Sequence, residues 1–336
     1  MRVEAGQAPA AVARLLAAEQ KNFAALGEEL RQHPPLSILT VARGSSDHAA
    51  HYMAYLVMAR LGRLVTSLPM SLITLYPASL RCDGLVAFVF SQSGQSPDLL
   101  APTRYIGEHG GRTVALVNDA TSPLALAAQQ VFPLHAGPET SVAATKSYLC
   151  QLVAGASVTA AWQQDAAFSA ALEALPASLK QAAAQDWSAG IEALLHAERL
   201  YVIGRGTGLP VAMEVALKFK ELCGIHAEAF SSAEVQHGPT ALVDDGFPLL
   251  ILAPRGPAQA SLLALAQQMR ERGAQVLLAA PAGTPGGMLP LVATGHADLD
   301  PIGAAQSFYP MVEGLARARG LDPDQPRHLS KVTRTR

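Results

Sequence analysis

The sequence predicts an α/β protein made of two parallel sheets, each with helices on both faces. Three observations carry this expectation. Short aliphatic or β-branched runs alternate with longer Ala/Leu-rich stretches, as strands and crossover helices do. The apolar runs are continuous rather than alternating, so both faces of each strand are expected to be covered. The second half of the chain also repeats the first at an offset of about 162 positions.

Taken in order, an N-terminal helix is expected over about Ala10–Arg31. Strands follow at Leu36–Ala42, Leu85–Phe90, Thr113–Val117 and Val131–Leu134, with helices over His48–Leu61 and Asp98–His109. Ser147 to Gln164 is uncharged and long enough to test as a membrane span. Its Gln151, Ser157, Thr159, Gln163 and Gln164 suit a buried helix instead. A connecting helical region covers Ala170–His196. Later strands are Arg199–Ile203, Pro248–Ala253 and Gln275–Ala280, and the main later helix is Leu209–Cys223. Pro281–Gly287 reads as a loop, and Pro281, Pro285 and Pro290 prevent one continuous helix over Gly273–Ala297. The organisation expected is an N-terminal helix (1–34), a first domain (35–185), a second domain (186–321) and a polar tail (322–336).

Three correspondences support duplication. Val41-Ala-Arg-Gly-Ser-Ser46 matches Ile203-Gly-Arg-Gly-Thr-Gly208, Gly62 matches Gly224, and Ser91-Gln-Ser-Gly94 matches Ala253-Pro-Arg-Gly256. The copies have diverged in a telling way. The first keeps hydroxyls at its second βα turn, where the second has Ala253, Pro254 and Arg255. The second carries Lys218 and Glu221 where the first has Leu56 and Ala59. One half is expected to hold a ligand and the other to react with it.

Composition narrows the class. Half the residues are hydrophobic and only 15% are charged, which argues against disorder. A net charge of −2 and 5% aromatics give neither an electrostatic nor a stacking surface for nucleic acid. The N-terminus has no apolar signal core. Cys82, Cys150 and Cys223 are odd in number and lack zinc-site spacing, as expected of reduced thiols in the cytoplasm. His48 and His51 near Asp47 lack a third clear ligand, so no metal is expected.

The chemistry-bearing residues form two groups. Ser91-Gln-Ser-Gly-Gln-Ser96 follows a strand and runs into a helix, and Ser45 and Ser46 follow another strand. Hydroxyls together with orphan N–H groups at helix N-termini make an anion site, although ordinary capping also uses serine. Phe90-Ser-Gln-Ser-Gly lacks the first glycine of a nucleophile elbow. Gly204-Arg-Gly-Thr-Gly-Leu209 has leucine where a dinucleotide fingerprint needs its third glycine. No Walker lysine follows either turn. A phosphorylated small molecule therefore fits better than a nucleotide. In the second group, Glu214, Lys218 and Glu221 lie on one helix face, and His237 is fixed by Gly238-Pro239. An exposed ion-pair stripe is the ordinary reading of such charges. A carboxylate beside a lysine can also act as a base while the cation stabilises negative charge.

The combination of Ser91-Gln-Ser-Gly94, Glu139-Thr-Ser-Val-Ala-Ala-Thr-Lys146, Ala216-Leu-Lys-Phe-Lys-Glu221, His237-Gly-Pro239 and Asp324-Gln-Pro-Arg-His-Leu-Ser-Lys331 resembles the tandem sugar isomerase (SIS) domain family. Within it, the chain looks most like the isomerase half of glucosamine-6-phosphate synthase and the SIS-type glucosamine-6-phosphate deaminases. The resemblance implies two flavodoxin-like domains and a homodimer. It also implies that Ser46, Ser91, Gln92, Ser93 and Ser96 hold the phosphate and that Val142 lines the sugar site; Ser45, from its place after the first strand, can face the same crevice. Glu221 would move the proton between C1 and C2 with Lys218 beside it, and His237 would assist ring opening, in its own subunit or across the dimer. Lys331 matches the imine-forming lysine, in a tail that closes the site.

The synthase begins with a glutamine-hydrolysing domain, whereas this sequence has no such domain and no cysteine near Met1. The Ala42-Arg-Gly-Ser-Ser-Asp47 and Ala233-Glu-Val-Gln-His237 variants look more like the deaminase branch. The expected activity is therefore that of an aminosugar-6-phosphate deaminase and aldose–ketose isomerase, converting glucosamine 6-phosphate to fructose 6-phosphate and ammonia. No metal or redox cofactor is needed. The alternatives are a synthase-like isomerase acting on galactosamine or fructosamine phosphate, and a non-catalytic phosphosugar sensor.

Overall fold

The computed structural model describes residues 1–331, so positions 332–336 of the expected tail lie outside the described residues. The chain divides into two compact units. The first comprises Ala10–Glu139, Lys146–Glu173 and the tail from Ser330; the second comprises Met1–Pro9, Thr140–Thr145 and Ala174–Leu329.

The first unit holds strands β1 (Ser37–Val41), β2 (Val65–Ser67), β3 (Leu85–Ser91), β4 (Arg112–Val117) and β5 (Gln130–Pro133). Its helices are most of α1 (Arg2–Gln32), then α2 (Gly44–Leu61), α3 (Ser71–Thr74), α4 (Pro97–Glu108), α5 (Pro123–Ala127), α6 (Lys146–Gln163) and the start of α7 (Ala166–Ala183). All strand pairs are parallel, in the order β2-β1-β3-β4-β5. After their first residues β3 and β4 are buried throughout, as their unbroken apolar runs require. Gly27 lets α1 approach α6: a Cβ there would sit 2.5 Å from the Ala161 carbonyl carbon.

The second unit holds strands β6 (Arg199–Gly204), β7 (His226–Ser231), β8 (Pro248–Leu252), β9 (Gln275–Pro281) and β10 (Leu289–Leu291). Helices α8 (Ser188–Leu194), α9 (Leu209–Cys223), α10 (Gln259–Glu271) and α11 (Asp300–Ala318) accompany them. Its order, β10-β9-β8-β6-β7, read from the other edge is the same winding as the first sheet. A core of Ile203, Leu249, Ile251, Leu262 and Met269 fills the space under α10. Gly62 after α2 and Gly224 after α9 take nearly identical left-handed cap conformations, φ 64° and 63°. The internal duplication is thus a repeat of fold as well as of sequence.

The expected strands and helices are present with ends moved by a few residues. Three strands were not legible: β2, β7 and β10. All are edge strands: β2 and β7 are mostly outside the core, and β10 is only three residues long with Pro290 at its centre. An edge strand packs against fewer neighbours, so it shows no continuous apolar run to read. Helix α1 starts at Arg2 rather than near Ala10. Gly6 and Pro9 weaken its local signal, but Ala5 and Ala8 are buried and Gln306 donates to the Ala5 carbonyl. Among the described residues no helix is long and apolar enough to cross a membrane.

Candidate functional site

In a sheet wound 2-1-3-4-5, the chain leaves β1 and β3 in opposite directions, and the crevice between their carboxyl ends is where ligands bind. In the first unit that position holds a cavity of about 360 Å³. It is lined by Arg43, Gly44 and Ser46 after β1, by Phe90, Ser91, Gln92, Ser93, Ser96, Asp98 and Leu99 at and after β3, and by Lys331.

The local backbone explains why these side chains meet. Helix α2 begins at Gly44 with Arg43 as its N-cap, and α4 begins at Pro97 with Ser96 as its N-cap. Neither cap side chain bonds its own helix. Both helix ends therefore leave amides available to an anion, with Asp47 and Asp98 in the respective first turns. Gly94 is obligatory in the serine loop: its φ is 64°, and a Cβ would meet Ser122 Oγ at 2.0 Å.

Two hydroxyls already accept a hydrogen bond. Ser91 Oγ accepts the Gly94 N–H at 3.0 Å, and Ser46 Oγ accepts Gln151 Nε2 at 2.9 Å. With a lone pair occupied, each hydroxyl has its proton to give to a ligand. Ser93 Oγ likewise accepts the Gln95 N–H at 3.3 Å. Lys331 brings a cation to the wall. Its Nζ lies 3.3 Å from Glu139 Oε2, and the fully buried Glu139 carboxylate is fixed by the Ser147 N–H at 3.2 Å and hydroxyl at 2.5 Å. Helix ends, hydroxyls and a lysine together suit a small anionic molecule bearing a carbonyl.

The second unit carries the other chemical group. On α9, Lys218 is 0% exposed and Glu214 is 1% exposed. Lys218 Nζ lies 3.0 Å from Glu214 Oε1 and 2.7 Å from Glu221 Oε2. Burial works against the lysine's charge, but the two carboxylates outweigh it and hold its pKa above the ordinary value. The exposed ion-pair stripe is thereby excluded. Only the Glu221 side chain, 20% exposed, reaches solvent. This carboxylate can exchange a proton while the fixed ammonium beside it stabilises negative charge.

The SIS domain family matches residues 30–161 and 193–280, most of the chain. The chain belongs to the SIS domain family. A protein of Silicibacter pomeroyi DSS-3, provisionally called a phosphosugar isomerase, superposes with a TM-score of 0.91 at 44% identity, covering 96% of this SIS chain and 99% of its own. The C-terminal domain of glucosamine-fructose-6-phosphate aminotransferase from Francisella tularensis superposes with a TM-score of 0.85 at 26% identity, over 96% and 97% of the two chains. The glutamine–fructose-6-phosphate aminotransferase of Zymomonas mobilis is 32% identical over 311 residues, 88% of this chain and 51% of that protein. The chain thus spans about half the length of such curated relatives.

The structure brings Ser46, Ser91, Gln92, Ser93, Ser96 and Lys331 together in one cavity of this SIS protein. Ser45 is half-buried in the first turn of α2 and does not line it. Val142 belongs to the second unit, where its N–H donates to the Asp324 carbonyl at 3.4 Å. His237 is exposed at the end of a short 3₁₀ turn, Glu234–Gln236. His51 Nε2 stands 4.0 Å from Asp47 Oδ2. Among the described residues no group of three His, Cys, Asp or Glu side chains is placed to share a metal ion. Sequence reasoning missed Arg43, Asp98, Gln151 and the anchoring role of Glu139. In the sequence Gln151 is only a polar residue in a helix expected to be buried. That position is the signal that could have identified it, because a buried amide needs a partner.

Proposed function

We propose that the chain is an aminosugar-6-phosphate deaminase and aldose–ketose isomerase, acting on glucosamine 6-phosphate to give fructose 6-phosphate and ammonia. The observation that carries this reading is the cavity at the β1/β3 switch point. Two helix N-termini and serine hydroxyls there suit a phosphate, and an anchored lysine stands at the same wall. Ser46, Ser91, Gln92, Ser93 and Ser96 are the proposed phosphate ligands, with Ser45 supporting the same turn and Val142 contacting the sugar.

In this mechanism His237 assists ring opening, which exposes the C1 aldehyde. Glu221 removes the C2 proton, with Lys218 stabilising the enolic intermediate, and returns a proton to C1. The C–N bond at C2 is now an imine. The Lys331 amine adds to C2 and expels ammonia, leaving a lysine imine, and water then cleaves this imine to the ketone of fructose 6-phosphate and the free amine. Lys331 is the amine proposed to hold the keto sugar as an imine during this exchange. The protein is proposed to work as a homodimer.

Relatives named as aminotransferases support a second reading, in which the same steps run towards the aminosugar. A coupled assay of ammonia release from glucosamine, galactosamine and fructosamine phosphates tests the first. Release from glucosamine 6-phosphate above the others supports it. No ammonia from any of them overturns it.

A further inference from the structure

We propose that Arg43 is a further phosphate-binding residue of the switch-point cavity, its guanidinium aimed by Asp98 so that it pairs with the dianion. This rests on the phosphosugar reading above and names a residue that reading does not use.

Arg43 has extended backbone (φ −138°, ψ 154°) at the N-cap of α2, and its side chain is 58% exposed. Its Nε donates to Asp98 Oδ2 at 2.9 Å. Asp98 is 2% exposed and lies in the first turn of α4. Both residues line the cavity that contains Ser46, Ser91 and Ser93. A guanidinium presents five N–H donors in one plane. Asp98 takes the Nε donor, and the Nη groups have no hydrogen-bond partner among the described residues.

The charges on the wall require such a cation. A phosphate monoester carries nearly two negative charges at neutral pH. The hydroxyl and amide donors are neutral, and Lys331 is already in contact with Glu139. The duplicated half shows that this arginine can be used otherwise. Arg205, at the matching turn, directs its Nη1 to Ser232 Oγ at 3.3 Å. In the first copy the Asp98 contact is made through Nε instead, which leaves the two-pronged end for a ligand, the geometry that suits phosphate.

The test is calorimetric titration of inorganic phosphate and of fructose 6-phosphate, with unphosphorylated fructose as control, into wild type, Arg43→Gln and Arg43→Lys, each checked by thermal unfolding. Arg43→Lys keeps the charge beside the buried Asp98 and therefore the fold, but loses the fork. The proposal expects both variants to bind both phosphates roughly 10- to 100-fold more weakly, since a charge-assisted hydrogen bond is lost. Wild-type affinity in Arg43→Lys shows that Arg43 only neutralises Asp98 and overturns the proposal, even if Arg43→Gln fails to fold. Failure of wild type to bind either phosphate removes the phosphosugar reading itself, and the proposal with it.

Discussion

Replacing Lys218 by methionine removes the cation shared by two carboxylates while keeping most of the side-chain volume. Its ammonium lies 3.0 Å from Glu214 and 2.7 Å from Glu221. At an effective dielectric near 20, each contact is worth about 5–6 kcal/mol before desolvation is charged against it. Desolvation offsets several kcal/mol per ion, and breaking a buried pair from one side costs about 3–5 kcal/mol. A loss of that size lowers the melting temperature by roughly 6–20 °C at ~2–4 °C per kcal/mol.

The pH dependence follows from the direction of the shifts. In wild type the folded pKa of Lys218 is raised above its ordinary 10.5, so its contribution is complete below 10.5 and is lost only as pH climbs through the folded value. Stability from this cluster is therefore flat through neutral pH. In Lys218→Met, the buried Glu214 has lost its cation, so its neutral form is favoured and its folded pKa rises. The deficit against wild type is small in acid and grows between about pH 5 and pH 8. Thermal unfolding followed by circular dichroism at both pH values reads this directly. The triple variant Glu214→Gln, Lys218→Met, Glu221→Gln, with no buried charge left, recovers much of the loss. A single variant within about 1 kcal/mol of wild type at the higher pH refutes the reasoning.

Three other outcomes are expected. Cys82, Cys150 and Cys223 are buried, and burial raises all three thiol pKa values, Cys223 to about 12; a disulfide-exchange dye should find no reactive thiol in the native protein and all three after denaturation. Gly27→Ala forces a Cβ into the Ala161–Trp162 backbone and should cost about 1–3 kcal/mol or more by denaturant titration. Gln151→Leu leaves Ser46 Oγ without its donor and should weaken inorganic phosphate binding by roughly 5-fold while leaving the melting temperature nearly unchanged.

Most of the scaffold was legible because α/β folds write their central strands as continuous apolar runs. Leu85–Ser91 and Arg112–Val117 stand out for that reason, and the edges β2, β7 and β10 do not. The serine loop stood out as a candidate anion site because its duplicate makes the same turn without hydroxyls, and its serines do line one cavity. The supporting contacts were not. Arg43 reaching Asp98, Gln151 orienting Ser46 and Glu139 anchoring Lys331 each join residues 55 or more positions apart, and no local pattern encodes such pairs. Lys218 and its carboxylates were visible as a helix face, but their burial depends on tertiary packing rather than on spacing.

The central claim is that the protein moves a proton at C2 of a 6-phosphosugar through Glu221. Proton NMR of glucosamine 6-phosphate and fructose 6-phosphate with the protein in deuterated water reads that transfer atom by atom. The account predicts deuterium entering at C2 of the aminosugar or C1 of the ketose with wild type, and none with Glu221→Gln, which still binds inorganic phosphate. Exchange that persists in Glu221→Gln, or is absent from a wild type that binds the sugar, contradicts it.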